Sequence, residues 1–189
     1  MRSLNHPMIW YLMRGSGVVT LLLFTAVVVL GIATTMRWRA GRLPRFVTLG
    51  LHRNLSLLAV AFLVIHVVTA MLDSYAGVHL AQVFVPMPAR RYGLFLGLGA
   101  LSLDLLLAVV VTSLVRHRLS QRVWKGVHWL AYASWPVAFV HSVGMGTDRH
   151  LGWFQLTALA CLGAVAATTG WRFASSLRRP YPKYLGARA

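Results

Sequence analysis

Acidic side chains are almost missing from this sequence: 189 residues carry three aspartates, Asp73, Asp104 and Asp148, and no glutamate. Charged residues together make up 12% of the chain, against roughly 25% in a soluble domain. Cysteine is scarce as well. The single Cys161 lies inside an apolar stretch, which excludes a disulfide framework and a thiolate metal cluster. No G-x-G-x-x-G follows a strand-like run, so the dinucleotide-binding turn is lacking too.

What is there is apolar: 58% of the residues are hydrophobic, in blocks that reach the roughly 20 residues a helix needs to cross a bilayer. Five blocks stand out, at about 17–36, 47–72, 93–115, 123–145 and 152–173. They predict an all-α membrane protein, a bundle of five transmembrane helices over 17–173. An extracytoplasmic or interfacial segment, 1–16, precedes it, and a basic tail, 174–189, follows. The first block is longer than the apolar core of a signal peptide, and GIATTMRWR offers no small-residue cleavage site, so it is read as a helix. In the third block Gly93 and Gly97 form a small-xxx-small face suited to close helix packing. Trp10, Tyr11, Trp124, Trp153 and Trp171 fall near block ends, as interfacial anchors do.

The net charge of +16 does not point to nucleic acid, because the arginines sit in the short connections between apolar blocks. There they act as topology signals and anionic-lipid contacts. Fourteen Lys and Arg lie on the side that holds the first loop, the third loop and the C-terminal tail, and five on the other. The richer side belongs in the cytoplasm, which puts the N-terminus outside a plasma membrane and the C-terminus inside. The second and fourth helices then run parallel.

Those two helices carry paired histidines. LHRNLSLLAVAFLVIHVV holds His52 and His66, fourteen residues apart, and HWLAYASWPVAFVH holds His128 and His141, thirteen apart. At 1.5 Å per residue, fourteen residues span about 21 Å, so parallel helices can oppose His52 to His128 and His66 to His141 in two tiers. Two imidazoles across such a gap suit a bis-His haem, in which both axial positions are filled. Zinc suits the arrangement less, because a structural site draws four ligands onto one ion. A lone intramembrane histidine is as readily a packed, hydrogen-bonded residue. Four at matching depths point to a function.

Helix rotation satisfies one half of this pattern. At about 100° per residue, fourteen residues return within about 40° of the starting face, whereas thirteen end about 140° away. The fourth helix must therefore be distorted between its histidines, and Pro136 lies there.

With H-x13-H in the second block and H-x12-H in the fourth, and short helices in matching order around them, residues 8–173 resemble the ferric reductase-like transmembrane domain family. Its members include NADPH oxidases, ferric reductases and the haem subunit of a bacterial methionine-sulfoxide reductase system. The resemblance implies two stacked b-type haems, an inner one on His52 and His128 and an outer one on His66 and His141. The opening WYLMRGSG also looks like the family's first shared helix start, which implies that Arg14 lies near the outer haem. A cation there would pair with propionates or draw an anionic acceptor; an exposed interfacial arginine is the other reading. Arg53 has the same two readings at the inner haem.

Four further features are open. Asp104, in LSLDLLL, would accept a proton or a hydrogen bond from a ligand imidazole, or is a protonated acid bonded to Ser or Thr. Trp135 lies between the haems and shapes the electron path, or is packing. His79 and His150, near Asp73, Asp148 and Arg149, would hold an acceptor metal ion or are plain loop residues, while His6 and His117 read as surface residues. The loop VFVPMPARRYG is a docking candidate on the outer surface.

After the fifth block about sixteen residues remain, too few for a folded flavin or nicotinamide domain. The expected function is a dihaem b-type electron-transfer subunit, an oxidoreductase component. A separate donor protein or membrane quinol would supply electrons. Ferric iron, or a flavoprotein or molybdoprotein partner outside, would take them. The competing expectation is a cofactor-free transport or assembly subunit that uses its histidines for protons.

Overall fold

The computed structural model describes residues 5–35, 45–73, 76–86, 93–146 and 148–177. Every regular element among them is helical: α1 (Asn5–Thr35), α2 (Arg45–Leu72), α3 (Leu80–Phe84), α4 (Gly93–Leu114), α5 (Gln121–His128), α6 (Leu130–Met145) and α7 (Gly152–Leu177), with a 3-10 turn at Arg116–Arg118. Hydroxyls inside the helices donate to carbonyls one turn back, as Thr20 does to Ser16 O at 2.7 Å and Ser56 to His52 O at 2.6 Å. In an apolar solvent each polar group needs such an internal partner.

Among the described residues four helices are long and apolar enough to cross a membrane: Pro7–Thr35, Phe46–Leu72, Gly93–Leu114 and Gly152–Leu177. They mark a multi-pass membrane protein. Their outer faces expose Phe46, Leu57, Leu72, Leu156 and Phe173, a surface that lipid satisfies and water does not.

The expected fourth block is not one unbroken helix. It is interrupted at Trp129, directly after His128, leaving α6 with 16 residues. That length reaches about 24 Å, short of the roughly 30 Å hydrocarbon core. At the interruption the Tyr132 amide donates to Trp129 O at 3.0 Å, a tight i to i+3 turn. Pro136 then sits inside α6 itself. The distortion assigned to Pro136 alone thus has two seats. At the other end of the chain, α1 begins at Asn5 and runs unbroken through Arg14, where a separate segment up to residue 16 was expected.

α1 is the centre of the bundle. Its buried Leu21, Phe24, Val28 and Ile32 pack with Trp135 of α6 and Cys161 of α7. α2 packs on α1, and α6 packs on α4, but α2 and α6 are not a packed pair. They face each other across a gap. The close helix contact in α4 is not made at Gly93, which has a φ of +40° and nothing near its missing side chain. It is made at Gly99 and, on α6, at Gly144, against which the Phe95 ring lies.

Candidate bis-histidine sites

Across the gap the four histidines meet in pairs. The ring centres of His52 and His128 are 6.4 Å apart with planes at 67°, and those of His66 and His141 are 6.5 Å apart at 79°. A direct N–H···N bond of about 2.9 Å would bring two imidazole centres to about 5 Å. A metal bound at roughly 2 Å by each ring needs centres on the order of 6 Å apart. The observed separations match the second case.

Three of the rings are held by one repeated device. The Nδ1–H of His66 donates to Met13 O at 2.8 Å, that of His52 to Val27 O at 3.0 Å, and that of His141 to Phe95 O at 2.7 Å. A carbonyl can only accept, so each bond assigns the proton to Nδ1 and leaves the Nε2 lone pair free. Four residues after each carbonyl comes a glycine, Gly17, Gly31 or Gly99, and the same imidazole lies on it. A β-carbon there would come 2.9 Å, 3.3 Å and 2.5 Å, respectively, from the ring's Cε1. The two copies on α1 are fourteen residues apart, the interval of His52 and His66 on the antiparallel α2.

His128 lacks this device. Its Nδ1 is buried with no acceptor among the described residues, and its ring stacks on Trp124, with centres 5.1 Å apart and planes at 29°. The Trp124 Nε1 is likewise buried with no acceptor among the described residues. Trp124, expected as an interfacial anchor, instead lies between His128 and Arg116, whose guanidinium is 5.2 Å from the indole centre.

The His66–His141 pair opens on a cavity of about 240 Å³ with apolar walls. Its α1 wall runs from Trp10 to Phe24 and includes Arg14. Arg14 is ion-paired with Asp148, with side chains 15% and 25% exposed, and lies over the Trp10 ring at 4.5 Å. Asp148 also lines the cavity. The sequence offered Arg14 but not this partner, which arrives from the far end of α6.

These residues fit a haem. Each tier brings two imidazoles to metal-binding separation, three of the four have the Nε2 lone pair free, and the glycines clear room for the Cε1–Nδ1 side of those three rings. Among the described residues no group of three or more His, Cys, Asp or Glu could hold a bare metal ion. Two imidazoles per tier would suit a group that brings its own remaining ligands, as a porphyrin does.

The other expected site residues fall outside the pairs. Trp135 is 4% exposed in the core, donating from Nε1 to Thr25 Oγ1 at 3.0 Å and stacked on Phe139. Asp104 is half-buried on α4 and accepts from none of the four imidazoles; three of them use backbone carbonyls instead. Arg53 is exposed on α2. His79, His117 and His150 are exposed, and His150 Nε2 accepts from Arg149 Nε at 3.1 Å. The His6 side chain, residues 87–92 of the docking loop and residues 178–189 of the basic tail lie outside the described residues, as do many of the arginines behind the expected orientation.

Residues 8–148 match the family described as Domain of unknown function (DUF8596). The chain belongs to that family. The matched stretch contains all four paired histidines, the three glycines beneath them, Arg14 and Asp148. No curated protein and no solved structure shows significant similarity to the chain.

Proposed function

We propose that this member of DUF8596 is a dihaem b-type transmembrane electron-transfer subunit of the ferric reductase-like kind. The observation that carries the reading is the repeated device: two half-buried imidazoles per tier, at metal-binding separation, with Nδ1 protons tied to carbonyls in three of four cases. A ligating histidine is normally held this way, because the second bond sets the tautomer and raises ligand basicity. Bound there and held by the two imidazoles of its tier, each haem would supply one-electron chemistry.

The chain's own part is to bind, orient and insulate. His52 and His128 hold the inner haem; His66 and His141 hold the outer. Gly17, Gly31 and Gly99 seat the imidazoles, and the Leu21, Phe24 and Val28 side keeps water from between the tiers. Arg14, balanced by Asp148, offers a cation to propionates at the outer haem. α5 and α6 together make a fifth crossing. The Lys and Arg asymmetry orients the bundle in the plasma membrane with its N-terminus outside. Electrons enter from a cytoplasmic donor protein or quinol and leave to ferric iron or an extracytoplasmic redox partner.

The test is a reduced-minus-oxidised spectrum of the purified chain. Two low-spin b-type haems per chain are expected, and His66→Ala with His141→Ala should remove one and leave the other. A colourless protein after haem-replete expression would return the chain to the cofactor-free class, with its histidines serving protons.

A further inference from the structure

The four imidazoles are not equivalent. His52, His66 and His141 each donate to a carbonyl on a neighbouring helix and lie against a glycine of that helix. His128 is the last residue of the eight-residue α5, with the chain interruption at Trp129 immediately after it. Its Nδ1 is occluded and faces no acceptor among the described residues, and what lies against its ring is the Trp124 indole. Ligation through Nε2 requires the proton on Nδ1. At His128 that proton is buried with nothing among the described residues to receive it, whereas at the other three positions it is bonded. Losing the outer partner of a ligating histidine weakens metal affinity by about 10–100-fold.

We propose that His128 is the exchangeable ligand of the bundle. Its imidazole leaves readily, by turning with the end of α5, and opens the inner tier to a small neutral ligand such as carbon monoxide. The outer tier, held at both ends by a carbonyl and a glycine, stays closed. The step exchanges one neutral donor for another at reduced iron, so no electron or proton changes hands. The inference rests on the dihaem reading and adds to it a binding position on one side of the membrane.

The experiment uses the full chain purified with its haem. Haem per chain is counted first, and carbon monoxide is then added to the reduced protein. The expected result is a difference spectrum accounting for one haem of the two. The double variant His66→Ala/His141→Ala, which has no outer ligands, should keep the full response on its remaining haem. His52→Ala/His128→Ala should keep a haem that does not respond. If no haem is bound, the dihaem reading itself fails. If two haems are bound and neither responds, both respond, or the response follows the outer pair, the dihaem reading stands and the inequality of His128 is overturned. The wild-type stoichiometry decides the matter even if a double variant does not fold.

Discussion

His66 lies against Gly17, so close that a β-carbon at position 17 would stand 2.9 Å from the ring's Cε1. Four residues earlier on the same helix, the Met13 carbonyl takes the ring's Nδ1 proton at 2.8 Å. One turn of α1 therefore both makes room for the imidazole and sets its tautomer.

Alanine at the three seat glycines should give a graded series. The intruding carbon would meet the imidazole at 2.5 Å for Gly99→Ala, 2.9 Å for Gly17→Ala and 3.3 Å for Gly31→Ala. In a helix the substitution otherwise favours folding by about 0.5–1 kcal/mol. Haem per chain should fall most for Gly99→Ala and least for Gly31→Ala, while the thermal stability of the haem-free protein holds or rises. Equal haem content in all three would refute the seating role.

Thr25 Oγ1 accepts from Trp135 Nε1 at 3.0 Å and donates to Leu21 O at 2.8 Å, so it satisfies a buried indole. Thr25→Val keeps the shape and strands the indole N–H, a loss of about 1–3 kcal/mol. Unfolding in detergent should show that loss with haem content unchanged. If the haem midpoint potentials move and stability does not, Trp135 serves the electron path and not the packing.

Arg14 and Asp148 are mostly shielded, so their pair lies between an exposed bridge, worth about 0–1 kcal/mol, and a buried one, whose breaking costs about 3–5 kcal/mol. Arg14→Gln should destabilise by an intermediate amount of about 1–3 kcal/mol, because it leaves the carboxylate alone at the cavity wall. The double variant Arg14→Gln/Asp148→Asn should recover part of it. A thermodynamic cycle that shows no coupling between the two positions would remove the pair from the account.

Arg172 ties α7 to α6: Nη1 donates to the Tyr132 hydroxyl at 2.9 Å, and the guanidinium lies 5.0 Å from the Trp129 ring centre. Arg172→Lys keeps the charge but loses the planar stack and the fork geometry. A stability decrease of about 1 kcal/mol is expected, with increased exchange of amides around Trp129. An unchanged exchange pattern would show that the chain interruption there is independent of α7.

The histidine tiers were legible in the sequence because spacing along one helix is a local quantity: 1.5 Å and about 100° per residue place His52 and His66 on one face at two depths. The thirteen-residue interval of His128 and His141 was legible as a conflict but not in its resolution, since the interruption at Trp129 has no proline beside it and a lone glycine, Gly126, inside a helical run does not by itself place a break. Gly93 and Gly97 matched a packing motif while Gly99, which matched none, received the imidazole. A motif counts residues within a helix, and a seat depends on which turn of another helix arrives opposite it.

Composition and periodicity by themselves made this an apolar, helical, multi-pass chain with imidazoles at two depths. Those properties depend on each segment's own residues and on the solvent around them. The tertiary structure alone decided that Met13, Val27 and Phe95 would lend their carbonyls, that Asp148 would come to Arg14, and that His128 would find no acceptor among the described residues. Each of these depends on the register between helices far apart in the chain, set by how the whole bundle packs.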